Sequence, residues 1–198
     1  GKEVTGRKPH VIAHMGVGRT FQNIRLFSHL TVRQNVEVGS VSGRKVAAID
    51  HQADVERLLV RFGLESLAPK QALSLPYGAQ RRVEIARALA GRPFFLLLDE
   101  PAAGMNPNET QDLARRLKGL PLARGLGLLL IDHDLKFIMS MCDHVVVLNR
   151  GRLIAEDTPA GVQKNPAVIE AYTGTRASRV SAEREQEAGA VTNQRETT

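Results

Sequence analysis

Short apolar runs alternate with amphipathic stretches through the middle of the chain. FFLLLDE at 94–100 is a continuous apolar run closed by two carboxylates, and LGLLLIDHD at 126–134 repeats the pattern. Each predicts a short strand buried on both faces, as in a parallel sheet. Between them Asn106, Pro107 and Glu109 supply an N-cap, a first-turn proline and a third-position acid, and Leu113, Leu117 and Leu120 give the following helix its apolar stripe. A further helix with Leu135, Ile138 and Cys142 leads to a third run, VVVLN at 145–149. The segment 94–149 therefore predicts two successive crossover units of a parallel sheet. NRGR then predicts a tight turn into LIAE, closing an antiparallel hairpin. Upstream, residues 79–90 predict a helix with Val83, Ala86 and Leu89 inward, closed by Gly91 and Pro93, and 53–64 predict another. The stretch 32–90 has little strand character and is expected to be a mostly helical insertion in an α/β sheet domain.

Composition adds boundaries to this picture. At 198 residues and 42% hydrophobic content the chain can bury one ordinary core, and its length demands no second domain. The end, TRASRVSAEREQEAGAVTNQRETT, has almost no large apolar residue to offset its ordering entropy, so 175–198 is expected to be a disordered tail. The single cysteine, Cys142, can form no internal disulfide and reads as a small packing residue, which suits a reducing cytoplasm. No apolar run approaches the roughly 18 residues that cross a bilayer. GKEVTGRKPH lacks the apolar core of a signal peptide, and the missing first methionine points to a fragment or a processed chain. Net charge is +6, and it is concentrated: residues 1–45 hold eight Lys or Arg against Glu3 and Glu37, while the remainder balances at 19 against 19. Only Phe21 and Phe27 lie among these charges, too few for a base-stacking platform, and the stretch reads as a solvated surface near a phosphate site or a partner protein rather than a nucleic-acid face.

Candidate chemistry lies where the apolar runs end. Asp99 closes a parallel strand, at the rim where such sheets bind ligands, and is placed to hold a cation through its hydration shell. Glu100 follows it directly. Two adjacent acids after five apolar residues would repel each other unless a metal and a water give each a partner; the alternative is that both cap the next helix through its dipole. His133 ends the neighbouring run and reaches the same rim if the two strands are adjacent, although one histidine alone more often has a structural role. In LSLPYGAQRRVEIARALA, Gly78 precedes a helix whose free N–H groups could receive a phosphate; alternatively, Pro76 and Gly78 only make a turn.

Taken together, LPYGAQRRVEIARAL, FFLLLDEP, AAGMNP and IDHD resemble, in order and at the expected separations, the signature, Walker B, D-loop and H-loop of ABC ATPases. RTFQNIRLF at 19–27 is similar to the Q-loop region, with Gln22 as its glutamine. The resemblance covers residues 1–174. More narrowly, AAGMNPNET, the Tyr-Gly form of the signature and NPAVIEAYTG resemble the ATP-binding subunit of high-affinity branched-chain amino acid importers. It implies a P-loop NTPase-like, mostly parallel sheet with a helical subdomain at 32–90. By the same resemblance Asp99 and Gln22 serve Mg2+, Glu100 polarises the attacking water, His133 contacts the γ-phosphate of ATP, and Gln22 links the metal to the membrane partner. Tyr77, Gly78, Ala79, Gln80 and Asn106 would face the nucleotide of a second ABC ATP-binding subunit. Membrane permease subunits are the other implied partners, no nucleic acid is implied, and the expected place is cytoplasmic, peripheral on the inner face of the cell membrane.

Three departures stand out. No G-x-x-x-x-G-K-[ST] occurs anywhere, so the first strands and the phosphate loop of the family are missing, as truncation ahead of Gly1 would explain. Without the strand leading into that loop, its neighbours are expected to expose apolar faces, and the chain alone is expected to bind ATP very weakly. Pro76 stands where the signature serine would be, and Asn106 replaces the usual D-loop aspartate, keeping the cap and losing a charge. The competing expectation is a non-catalytic, ABC-like partner-docking protein with no nucleotide turnover of its own.

Overall fold

Three strands run side by side in parallel. β1 (Val17–Arg19), β2 (Phe95–Asp99) and β3 (Gly127–Ile131) form a sheet in the order β1-β2-β3, with Val17 opposite Phe95, Phe95 opposite Gly127 and Asp99 opposite Ile131. This computed structural model describes residues 3–42, 50–120 and 125–172, so the tail expected at 175–198 lies outside the described residues. Residues through Met141 form one compact unit, and those from Cys142 form a second.

The first unit is organised around α4 (Tyr77–Ala90), where Val83, Ile85, Ala86 and Leu89 are completely buried. Against it lie α2 (Val32–Ser42), through Val32 and Val36, and α3 (His51–Phe62), through Val55, Leu58, Leu59 and Phe62. The insertion expected at 32–90 is helical, with short 3-10 turns at Glu65–Leu67 and Ala72–Ser74 and one isolated bridge, Thr31 to Gln71. Gly39 sets how closely α2 approaches α4, because a Cβ there would collide with the carbonyl oxygen of Arg87. α5 (Pro107–Leu117) opens with the expected capping box: the Asn106 side chain accepts from the Asn108 and Glu109 amides, and Glu109 accepts from the Asn106 amide. Leu113, Leu117 and Leu120 are buried. α1 (Pro9–His14) precedes β1, and α6 (Leu135–Met141) follows β3.

Two expectations are corrected. β2 and β3 are not buried on both faces: Leu96 and Leu98 point into the core, whereas Phe95, Leu129 and Ile131, which the register puts on the opposite face, are 43%, 49% and 59% exposed. Strand pleating separates the two sets, and only one face is covered among the described residues. The third run, β4 (Val145–Asn149), does not join the parallel sheet. It pairs antiparallel with β5 (Arg152–Asp157) in the second unit, through a turn in which Arg150 and Gly151 both take positive φ. An apolar run specifies a strand without specifying which edge it will meet, and the short hairpin closes at the smallest entropic cost. α7 (Pro159–Lys164), capped by Thr158, completes that unit, with Val162 buried.

Candidate active site

Because Asp99 lies opposite Ile131, the loops leaving β2 and β3 start side by side, and the Glu100 amide donates to the Ile131 carbonyl at 2.8 Å. Glu100 has φ +44°, in the left-handed region that a side chain with a Cβ adopts only at a cost of about 1–2 kcal/mol. That turn directs its carboxylate to the rim. There Oε2 accepts from Gln22 Nε2 at 3.3 Å, and Oε1 lies 3.7 Å from His133 Nδ1. Asp99 faces Arg19, whose Nη2 is 3.4 Å from Oδ2, while Arg19 and Arg25 both lie over the Phe21 ring. Asp99, Glu100 and His133 thus lie at one rim, and Gln22 reaches it through Glu100.

Asp132 was not singled out from the sequence. Its side chain is 1% exposed and ties the two rim loops together, Oδ1 accepting from the Asp134 amide and Oδ2 from the Ala102 amide. It fixes the segment that carries His133. Arg19 was missed too, since an exposed arginine gives no sign of the acid it will meet 80 residues along the chain.

The remaining expected site residues gather at the start of α4. Tyr77 is partly exposed, Ala79 is buried, and the Gln80 amide is turned back onto the Leu73 and Leu75 carbonyls at 3.2 and 2.8 Å. Gly78 faces an anion of the chain itself: a Cβ built there would sit 2.9 Å from Glu109 Oε1. Gly78 and Asn106 line a cleft of about 270 Å³ with Arg82, Glu109 and Asp112, at the N-terminal ends of α4 and α5 rather than at the Glu100 rim. Burial alone would raise the Asp112 carboxyl, but Arg116, with Arg115 and Arg82, outweighs it and holds the group below the usual carboxylate range.

One side chain joins the two groups. Arg81, completely buried, donates from Nη1 to the Phe21 carbonyl (2.6 Å) and Glu84 Oε2 (2.8 Å), and from Nη2 to the Gln22 carbonyl (2.7 Å) and the Tyr77 hydroxyl (3.0 Å). Glu84, also buried, accepts from the Arg25 amide at 3.2 Å, and Arg87 donates to the Arg25 carbonyl. An arginine three residues after Gly78 and four before Ile85, on the buried stripe of α4, is the sequence signal that could have found it.

Residues 1–103 match the ABC transporter family model, and residues 152–178 match that of the branched-chain amino acid ATP-binding cassette transporter. The chain is 40% identical over 188 residues to the high-affinity branched-chain amino acid transport ATP-binding protein BraF of Pseudomonas aeruginosa, covering 88% of this chain and 74% of that protein. It is 42% identical over 177 residues to LivG of Escherichia coli K12, which bears the same description, covering 82% and 69%. Among solved structures it is similar to the ADP conformation of an ATP-binding cassette of an ABC transporter, with a TM-score of 0.72 and 29% identity over 87% of this chain and 74% of that one.

Proposed function

The chain belongs to the ABC transporter family of ATP-binding proteins, and from that membership we propose that it is the ATP-hydrolysing subunit of a branched-chain amino acid importer. The observation that carries the reading is the meeting of Asp99, Glu100, His133 and Gln22 at one sheet rim. Glu100 is the base that polarises the attacking water, and its contact with Gln22 holds it oriented until that water arrives. His133, far more exposed than the acids, is free to turn toward a γ-phosphate. Tyr77, Gly78, Ala79, Gln80 and Asn106 face the nucleotide of a second ATP-binding subunit, and Gln22 carries the state of the rim toward membrane permease subunits. Among the described residues no helix is long and apolar enough to cross a membrane, which suits a place against the inner face of the cell membrane.

The rim suits Mg2+. Among the described residues no three His, Cys, Asp or Glu side chains form a metal cage, but Mg2+ needs only one or two protein oxygens beside phosphate and water. The approach of Arg19 to Asp99 indicates that this carboxylate attracts a cation. Asp99 and the Gln22 amide oxygen would hold the ion, which supplies charge neutralisation at the phosphates. In the assembled transporter, Glu100→Gln should lower Mg-ATP hydrolysis by at least about 100-fold while ATP still binds. Unchanged phosphate release would remove Glu100 from its role.

A second reading, a docking protein without nucleotide turnover, would hold only if no G-x-x-x-x-G-K-[ST] precedes these 198 residues, since that loop supplies the N–H nest and lysine that grip phosphates. Titrating the chain with Mg-ATP tests it. A saturable micromolar isotherm with steady phosphate release would refute the docking reading.

A further inference from the structure

We propose that Arg81 is a positioning residue that makes the start of α4 and the Gln22 loop one rigid element, so that the place of α4 decides whether Gln22 engages Glu100. The inference rests on the ATPase reading for its consequence and on geometry alone for the linkage. A buried guanidinium is tolerated only when its charge and its N–H groups are matched. Here both Nη atoms donate twice, to Phe21, Gln22, Glu84 and Tyr77, and only Nε lacks a partner. Two of those acceptors are successive main-chain carbonyls of the loop, so the fork clamps the backbone from which the Gln22 side chain hangs. Glu84 and Arg87 extend the grip to both backbone groups of Arg25, from positions three and six residues further along α4.

Consequently a shift of α4 moves the loop with it. The Gln22 to Glu100 contact is 3.3 Å, long for a hydrogen bond, so a displacement of under an ångström is enough to make or break it. Since the Tyr77 hydroxyl is an acceptor of the same guanidinium, an event at the N-terminal end of α4 reaches Gln22 through a single side chain.

The test uses the pair variant Arg81→Met with Glu84→Met, which removes both buried charges together and avoids leaving one unpaired. In the assembled transporter, kcat is expected to fall about 10- to 100-fold with KM for Mg-ATP nearly unchanged, as misplacement of a catalytic group does. Adding Gln22→Ala to the pair should cost no more than Gln22→Ala alone, because both act through one contact. Multiplying losses, or a loss confined to KM, would overturn the proposal. Hydrogen exchange on the 198-residue chain gives an answer independent of hydrolysis. Peptides covering 20–27 should exchange about tenfold faster in the pair variant while 83–89 stays protected, and unchanged exchange at 20–27 would sink the linkage. If the unaltered transporter hydrolyses no ATP, the functional reading fails and the exchange arm still decides the linkage.

Discussion

The contacts of Arg81 run from 2.6 to 3.0 Å around a guanidinium with no exposure, whereas those at the rim run from 3.3 to 3.7 Å between groups open to solvent. In the first region every hydrogen bond is short and shielded, so geometry is fixed before any ligand arrives. In the second, Gln22, Glu100 and His133 touch each other only loosely, so these contacts are open to replacement by stronger ones to a cation or an anion. Position is stored in the helix, and the rim is left available for chemistry.

That contrast can be broken most forcefully at Arg81. Arg81→Met alone leaves Glu84 charged and buried without its ion-pair partner, with the Arg25 amide as its remaining hydrogen bond, and should cost about 3–5 kcal/mol in a denaturant titration. A loss below about 1 kcal/mol would mean that the helix and loop are no more tightly bound than the rim. Gly39→Ala comes next: with the Arg87 carbonyl in the way, α2 must move off α4, at a cost of about 1–3 kcal/mol in the same measurement.

Asp112 gives a smaller, pH-dependent effect. Its native pKa lies below the unfolded value, so its stabilisation is complete above the ordinary carboxylate range and is lost as pH falls from the unfolded value through the native one. Stability measured from pH 7 downward, at roughly one-unit intervals, should fall less steeply below about pH 4 in Asp112→Asn than in the unaltered chain. Identical slopes would remove the Arg116 pairing from the account. Smallest of all, Arg19→Ala breaks an exposed pair and should change stability by under about 1 kcal/mol. A larger loss would show that the rim is as firmly built as the helix.

The two regions also differed in how much of them could be read in advance. Asp99, Glu100 and His133 were legible because each ends or follows an apolar run, and α4 and α5 because stripe and cap agree. β1 was not legible: of Val17, Gly18 and Arg19 only one is apolar, and the segment is a strand because β2 offers it a ladder. Arg81 and Asp132 escaped because their partners are set by tertiary structure, about 60 and 30 residues away in the chain. The misplacement of 145–149 has the same origin, since pairing belongs to two segments and the apolar run describes one.

The left-handed backbone at Glu100 bears on how the sequence can change. Glycine at that position would relieve a Cβ clash on the order of 1 kcal/mol, and asparagine would suit the conformation better than glutamate does. Selection for heat resistance alone would therefore push position 100 away from its carboxylate, whereas selection for transport would hold it there. A library screened only for thermal survival should become enriched in silent proteins altered at this one site.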